Sequence, residues 1–405
     1  MLSPSQASAV TSSGESRTYL QLRETSGSDT YAPLYEYLNL NLEKIGGKDV
    51  SLYFGGWLSY DLADESFNKR YDNELQYFYL SISEKSGSGT LKLGRFYVFE
   101  GVAAAEQVDG LYAQQYIGGR LGISVYGGVP RETSFDNERS GDYIYGGRIS
   151  DGIPGIYTLG VSYLKESNQS DDFREEAGVD LWLRMTKKLE LQGHSFYNVE
   201  TSGWQEHWYY LTLGPLAGLS IRPQFSSIDY EHYFTAVKNS AFSFTPSAIN
   251  PKEKMQMIGG ELEYAFSKSF LIAGDYKNYN YDIAGDAHYY GGKIAYLAQS
   301  SDYTKKGSFG AAFHRMDGDT KDLQYDEYRG YGSINFGKID FAVDLLYISY
   351  DQEIDGEDVA YSAAGSLGLT LSKSVRLAGD VEYGKNPEFD EDVRGFLKLL
   401  YRFGS

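Results

Sequence analysis

Apolar and polar residues alternate with a period of two along nearly the whole of this chain. "LNLNLEK" (Leu38–Lys44), "VDLWLRM" (Val179–Met185), "LELQGHSFY" (Leu189–Tyr197), "IDFAVDLLY" (Ile339–Tyr347) and "LKLLYRF" (Leu397–Phe403) all show it. Successive side chains of a strand point to opposite faces, so this is a strand signature. The strands are long: Lys338–Tyr350 alternates over 13 residues, whereas globular strands average about five or six residues. Strands of about 9–11 residues, tilted near 45°, are what a bilayer core requires. No run of about 18 apolar residues exists, so a membrane-spanning helix is not expected.

The connections sort by parity. "AFSKSFLIAGDY" from Ala265 and "TLSKSVRLAGDV" from Thr370 share the frame S-K-S-x-x-x-A-G-D, 105 residues apart. Each reads as a polar three-residue turn between alternating flanks. Other short links are "GGR", "TKK" and "GPLAG"; between them lie long ones such as "PRETSFDNERSG", "KESNQSDDFRE" and the 28-residue Ser227–Lys254. Short turns on one side and long polar loops on the other describe a bacterial outer-membrane barrel. Only helices or closed barrels satisfy every backbone group in lipid. The expected architecture is all-β: an antiparallel up-and-down transmembrane β-barrel of about 20–22 strands, with short periplasmic turns and long extracellular loops. We place the barrel at residues 16–403, an N-terminal periplasmic extension at 1–15 and a tail at 404–405. Residues 1–9, ending in Ala7-Ser8-Ala9, read either as the remnant of an export signal or as a free tail. The acidic clusters Asp171-Asp172, Glu175-Glu176 and Pro387–Asp392 fall on the long, outer side.

Composition agrees. The chain of 405 residues has 38 Tyr and 46 Gly against 9 Pro, which suits long strands with aromatic belts and not helices. With no Cys, thiolate metal sites, disulfides and covalent c-type haem are excluded. Lys and Arg number 37 against 56 Asp and Glu, a net charge of −19, which argues against a nucleic-acid partner. Leu397, Leu399, Tyr401 and Phe403 share one face, and this aromatic-ended strand resembles the last strand of bacterial outer-membrane proteins.

Motifs for chemistry are lacking. His194, His207, His232, His288 and His314 are scattered and form no metal-ligand spacing. "GGRLG" (Gly118–Gly122) lacks the G-K-[ST] ending of a phosphate loop, and "DGDTKDLQYDE" (Asp317–Glu327) carries Lys321 where a calcium ligand belongs. No nucleophile-elbow frame appears, so the chain is not expected to be an enzyme. Parity assigns Asp180, Arg184, Glu190, His194, Arg222, Asp275, Lys277, Asp340, Asp344, Arg376, Asp380 and Glu382 to an inward, polar face. In "LGRFYVFEGVAAAEQVDGLYAQ" (Leu93–Gln114), Arg95 breaks parity. An Arg on the lipid face at mid-depth costs about 2–4 kcal/mol. A bulge or a position near the rim would relieve this, and turned inward Arg95 could meet Asp109 across the hairpin.

A closed sheet of 22 strands is roughly 40 Å across, and 22-stranded transporters fill that width with a plug. Such a plug takes on the order of 100 residues, which no segment here supplies. Either the barrel is an open porin or another chain occupies its lumen. "LYFGGWLSYDLAD" (Leu52–Asp64), "GRFYVFEGVAAAEQVDG" and "YYLTLGP" (Tyr209–Pro215) resemble the porin components of porin–cytochrome conduits in metal-reducing bacteria, and the resemblance runs over most of the chain. It implies an insulating sleeve in the outer membrane around a multihaem cytochrome, with periplasmic and extracellular cytochrome partners. The haem would be carried by the partner, with no cofactor bound by this chain. The alternative is a passive diffusion porin for small polar solutes or ions.

Overall fold

In the computed structural model the described residues are 10–24, 30–63, 70–131, 142–168, 171–236, 250, 252–299, 305–387 and 389–404. They form 22 long strands. The first eight are β1 (Thr11–Glu24), β2 (Pro33–Glu43), β3 (Val50–Asp61), β4 (Tyr71–Ser83), β5 (Gly89–Glu100), β6 (Ala103–Ile117), β7 (Leu121–Arg131) and β8 (Tyr143–Ile153). Then come β9 (Tyr157–Asn168), β10 (Asp171–Thr186), β11 (Leu189–Asn198), β12 (Gly203–Leu216) and β13 (Leu219–Asp229), followed by a short helix, α1 (Tyr230–Ala236). The remainder are β14 (Lys254–Ala265), β15 (Phe270–Tyr281), β16 (Gly285–Gln299), β17 (Lys305–Gly318), β18 (Gln324–Phe336), β19 (Ile339–Ile354), β20 (Glu357–Thr370), β21 (Val375–Asn386) and β22 (Phe389–Gly404). Thr30–Tyr31 adds a two-residue ladder against the outer end of β1. No helix among the described residues is long and apolar enough to cross a membrane.

Each strand pairs antiparallel with the next, and β22 pairs with β1 from Ser13↔Gly404 to Arg23↔Arg394, which closes the sheet. Closure leaves no edge to satisfy in lipid. The first strand begins at Thr11 and the last reaches Gly404. The wall therefore takes in residues expected in the extension and the tail, while residues 1–9, with Ala7-Ser8-Ala9, lie outside the described residues. The two S-K-S turns are built alike. Ser267 Oγ accepts the amides of Ser269 and Phe270 at 3.2 and 3.0 Å. Ser372 Oγ accepts those of Ser374 and Val375, each at 3.1 Å.

The two faces separate as the pleat dictates. Leu377, Val381, Leu397 and Leu399 stand exposed on the outside, as do Ile258, Leu262, Ile294 and Leu345. Such a belt is stable only against acyl chains. On the outer side the connections 62–70, 132–142 and 230–253 are long. Elsewhere the strands run on past the bilayer, so "KESNQSDDFRE" is mostly strand, with Lys165 paired to Glu175 at 3.1 Å. The acidic clusters expected in outer loops are accordingly placed otherwise. Glu176 is buried on the inner face, and Asp392, also buried, is held by Arg394 at 2.5 Å. The side chains of Asp171 and Asp172 lie outside the described residues.

Candidate functional site

One hairpin does not stay in the wall. The ladder between β4 and β5 runs only from Ser83↔Thr90 to Phe78↔Arg95, although both strands continue outward beyond it. At this height Gly94, Gly110 and Gly128 lie opposite one another on β5, β6 and β7. Gly94 has φ of 125°, a region costly for side-chain residues. A Cβ on Gly110 would run into the Gly127 carbonyl oxygen, and one on Gly128 into that of Asp109. Three glycines in a row thus let the outer half of the β5–β6 hairpin fold into the lumen. β4 loses its neighbour there, and side chains take its carbonyls: Arg95 Nη1 donates to Leu75 O at 2.7 Å and Gln107 Nε2 to Gln76 O at 2.6 Å. Carbonyls deprived of a strand partner still need a donor.

The fold-in hairpin lies along the inner wall. Phe96, Val98, Val102, Ala103 and Val108 are buried against Tyr112, Tyr126, Ile144 and Leu164, with Tyr79 and Phe196 at the margin. Fully burying a side chain of this size is worth about 1.5–3 kcal/mol, so the hairpin has a small core of its own. Its tip is anchored by polar groups. Val102 N–H donates to Ser162 Oγ at 3.1 Å, and Glu100 is hydrogen-bonded by Tyr112 and Ser124. Arg174 on β10 donates to Glu106 at 2.5 Å, to Glu176 at 2.7 and 2.8 Å, and to Val102 O at 3.2 Å. Helix α1 covers the same side from outside, since Asn198 Nδ2 donates to His232 O at 3.0 Å. The Tyr233 hydroxyl is pushed up by burial, then by the nearby Glu206 and Glu176 carboxylates. Phe242, Phe244 and the Phe234 side chain, further aromatic residues of this long loop, lie outside the described residues.

Arg95 finds its resolution here. No bulge intervenes: Arg95 stays opposite Asp109 in an even ladder, at the point where the pairing of β4 with β5 ends. Its guanidinium grips Asp109 bidentately at 2.6 and 2.9 Å, and Arg131 adds a second contact at 2.8 Å. The other parity-assigned residues share faces with lumen-facing neighbours. Two further pairs fall within the assigned set, Arg184 with Glu190 at 2.8 Å and Arg376 with Asp340 at 2.5 and 2.7 Å. The rest meet groups the sequence reading did not single out. Asp180 takes Arg148 at 2.5 and 2.9 Å, Asp344 takes Arg329 at 2.5 and 3.0 Å, and Asp380 takes Lys398. His194 meets Glu206 at 2.6 Å, Arg222 meets Glu261 at 2.8 Å and Glu382 accepts from Ser362 at 3.2 Å. Asp275 holds His314 at 3.0 Å, while Lys277 lies over the Tyr289 ring at 5.4 Å. Arg148, Arg329 and Lys398 were detectable by the same alternation. Their pairing with acids one or two strands away was not.

The result is a lumen lined by cations that are mostly matched to acids. Paired charges of opposite sign leave little field of one sign. Among the described residues no three His, Asp or Glu side chains gather in a way that could hold a metal ion.

No family model and no curated protein matches this chain. Solved structures do. It resembles the siderophore receptor PirA from Pseudomonas aeruginosa at 10% identity and TM-score 0.59, covering 98% of this chain and 80% of that one. It resembles the P pilus usher (PapC) translocation pore at 8% identity and TM-score 0.50, over 96% and 99% of the two chains. Pseudomonas aeruginosa OccK11 (OpdR) aligns at 10% identity and TM-score 0.46, over 98% of this chain and 96% of that one. Such identities speak to the fold. The protein is a closed 22-strand barrel of the bacterial outer membrane.

Proposed function

We propose that the protein is a passive diffusion channel for small polar solutes. The observation that carries this is the contrast between the two sides of the lumen. Strands β6–β11 are covered by the fold-in hairpin and its apolar core. Strands β13–β22 keep a polar inner face, set with ion pairs such as Arg222–Glu261, Arg329–Asp344 and Arg376–Asp340. A sheet stacked on another takes about 10 Å, so the hairpin narrows a lumen roughly 40 Å wide without closing it. That geometry suits a sieve.

The same hairpin speaks against the sleeve. A multihaem cytochrome would have to share the lumen with the hairpin core of Phe96, Val98 and Val102. Liposome swelling with amino acids and sugars of graded size tests the channel reading. Uptake that falls steeply with solute size is expected. Liposomes impermeable to all of them would refute it.

A further inference from the structure

The inner face of β1–β4 is built differently from the ion-paired side. Here rings replace charges. Tyr35 and Tyr37 stack at 6.3 Å, and Trp57 packs against them at 5.9 and 6.3 Å. Closer to the periplasmic side of the same face, Tyr53 and Tyr79 stack at 5.0 Å with planes 24° apart. Tyr77 continues the row at 6.1 Å from Tyr79, its ring laid over Gly55, where any Cβ would run into it. The register puts Gly55 two residues from both Tyr53 and Trp57 on one face of β3, so the rings climb the wall in a line. On the hairpin, Tyr97 and Phe99 lie 5.9 Å apart, with Phe99 69% exposed, and Gln107 Nε2 donates both to the Tyr97 hydroxyl at 3.4 Å and to the Gln76 carbonyl of β4 at 2.6 Å.

Neutral and charged hydrogen-bonding groups stand at the edges of these rings. Asn41 is opposite Tyr53, Asn39 is opposite Gly55 and bonded by the Tyr77 hydroxyl at 3.0 Å, and Arg17 is opposite Tyr37. Glu74 accepts from the Trp57 indole at 2.9 Å. Trp57 is buried and Tyr35, Tyr37, Tyr53, Tyr77 and Tyr79 are half-buried, and the ring area left facing the pore is costly to hydrate unless something apolar covers it. A solute that covers them must carry an apolar face and a polar rim together.

A pyranose ring has that shape: C–H groups on its face and hydroxyls around its edge. We propose that the β1–β4 face and the tip of the hairpin form a binding track for saccharides, hexose rings stacking on the line of aromatic side chains while Asn39, Asn41, Glu74 and Arg17 meet their hydroxyls. This rests on the diffusion-channel reading and names the solute class for it. A strongly ionic solute would instead favour the ion-paired side.

The probe is maltohexaose, titrated by calorimetry into the full-length protein in a detergent without a sugar headgroup, and added to open channels in planar bilayers. Saturable binding and concentration-dependent block of the current are expected. Tyr77→Ala and Phe99→Ala should each weaken both by about tenfold, and Leu93→Ala, on the lipid face, should weaken neither. Phe99 is exposed, so its truncation does not disturb the fold. Conducting channels that neither bind nor are blocked by the sugar would overturn the track and leave the channel reading intact. Equal affinity in wild type, Tyr77→Ala and Phe99→Ala would overturn its placement. Binding without any conductance would support the track and refute the channel.

Discussion

Arg174 and Glu106 are 68 residues apart in the chain and 2.5 Å apart in the lumen. That contact ties the tip of the fold-in hairpin to β10, and Arg174 holds Glu176 and the Val102 carbonyl as well. A guanidinium in this position does two things. It fixes the hairpin to the wall, and it gives the Glu106 and Glu176 carboxylates a cationic partner away from bulk water.

Removing it should therefore loosen the constriction. Arg174→Met leaves Glu106 and Glu176 without their cation, a change that costs about 3–5 kcal/mol for a buried pair. The hairpin should spend time off the wall, seen as a larger and noisier single-channel current than in wild type. Glu106→Gln, which keeps a hydrogen-bond acceptor, should show a smaller change in the same direction. Identical currents in all three would mean that this contact does not set the pore.

The glycine row makes a sharper structural prediction. Gly110→Val places a side chain against the Gly127 carbonyl, whereas at Gly365 a Cβ meets nothing within 4 Å. Gly110→Val should lose the compact, heat-sensitive band that a folded barrel gives on a gel. Gly365→Val should keep it. Normal folding of Gly110→Val would show that the bend does not need a bare backbone at that point.

The fold was legible because the bilayer enforces it locally. Leu377 and Arg376, or Leu345 and Asp344, disclose their faces by alternation alone, and closure follows from the absence of edges in lipid. The hairpin was half legible. Phe96, Val98 and Val108 alternate just as wall residues do, so nothing in their period says that they leave the wall. The signals were Arg95 on the wrong parity and Gly94 and Gly110 set opposite each other with Gly128. The latch was not legible, because Arg174 and Glu106 meet only once β5–β6 has folded across four neighbouring strands. The polar tail of "KESNQSDDFRE" reads as a loop for a related reason: above the bilayer a strand no longer needs an apolar face.

The repeated turns should behave as one object. Ser267 and Ser372 each accept two backbone amides in the turn, and a net hydrogen bond is worth about 0.5–1.5 kcal/mol. Ser267→Ala and Ser372→Ala should each lower the denaturant midpoint of the barrel slightly and by similar amounts. A large loss from one and none from the other would mean that the two copies are not equivalent.

Topology can be read on intact cells. Trypsin should cut in the outer connections, after Lys69, Arg139 or Lys238, and should leave the inner turns at Lys188, Lys268 and Lys373 untouched until the membrane is broken. Early cleavage at the S-K-S turns would reverse the assignment of sides.

The central claim is that this barrel, alone, is an open and narrowed pore. The most direct test is the current through the purified protein in a planar bilayer with no partner added. A steady, ohmic conductance, well below that of an unobstructed 22-strand cylinder and raised by Arg174→Met, is the expected result. A sealed membrane that passes charge only when a haem protein is supplied would contradict it.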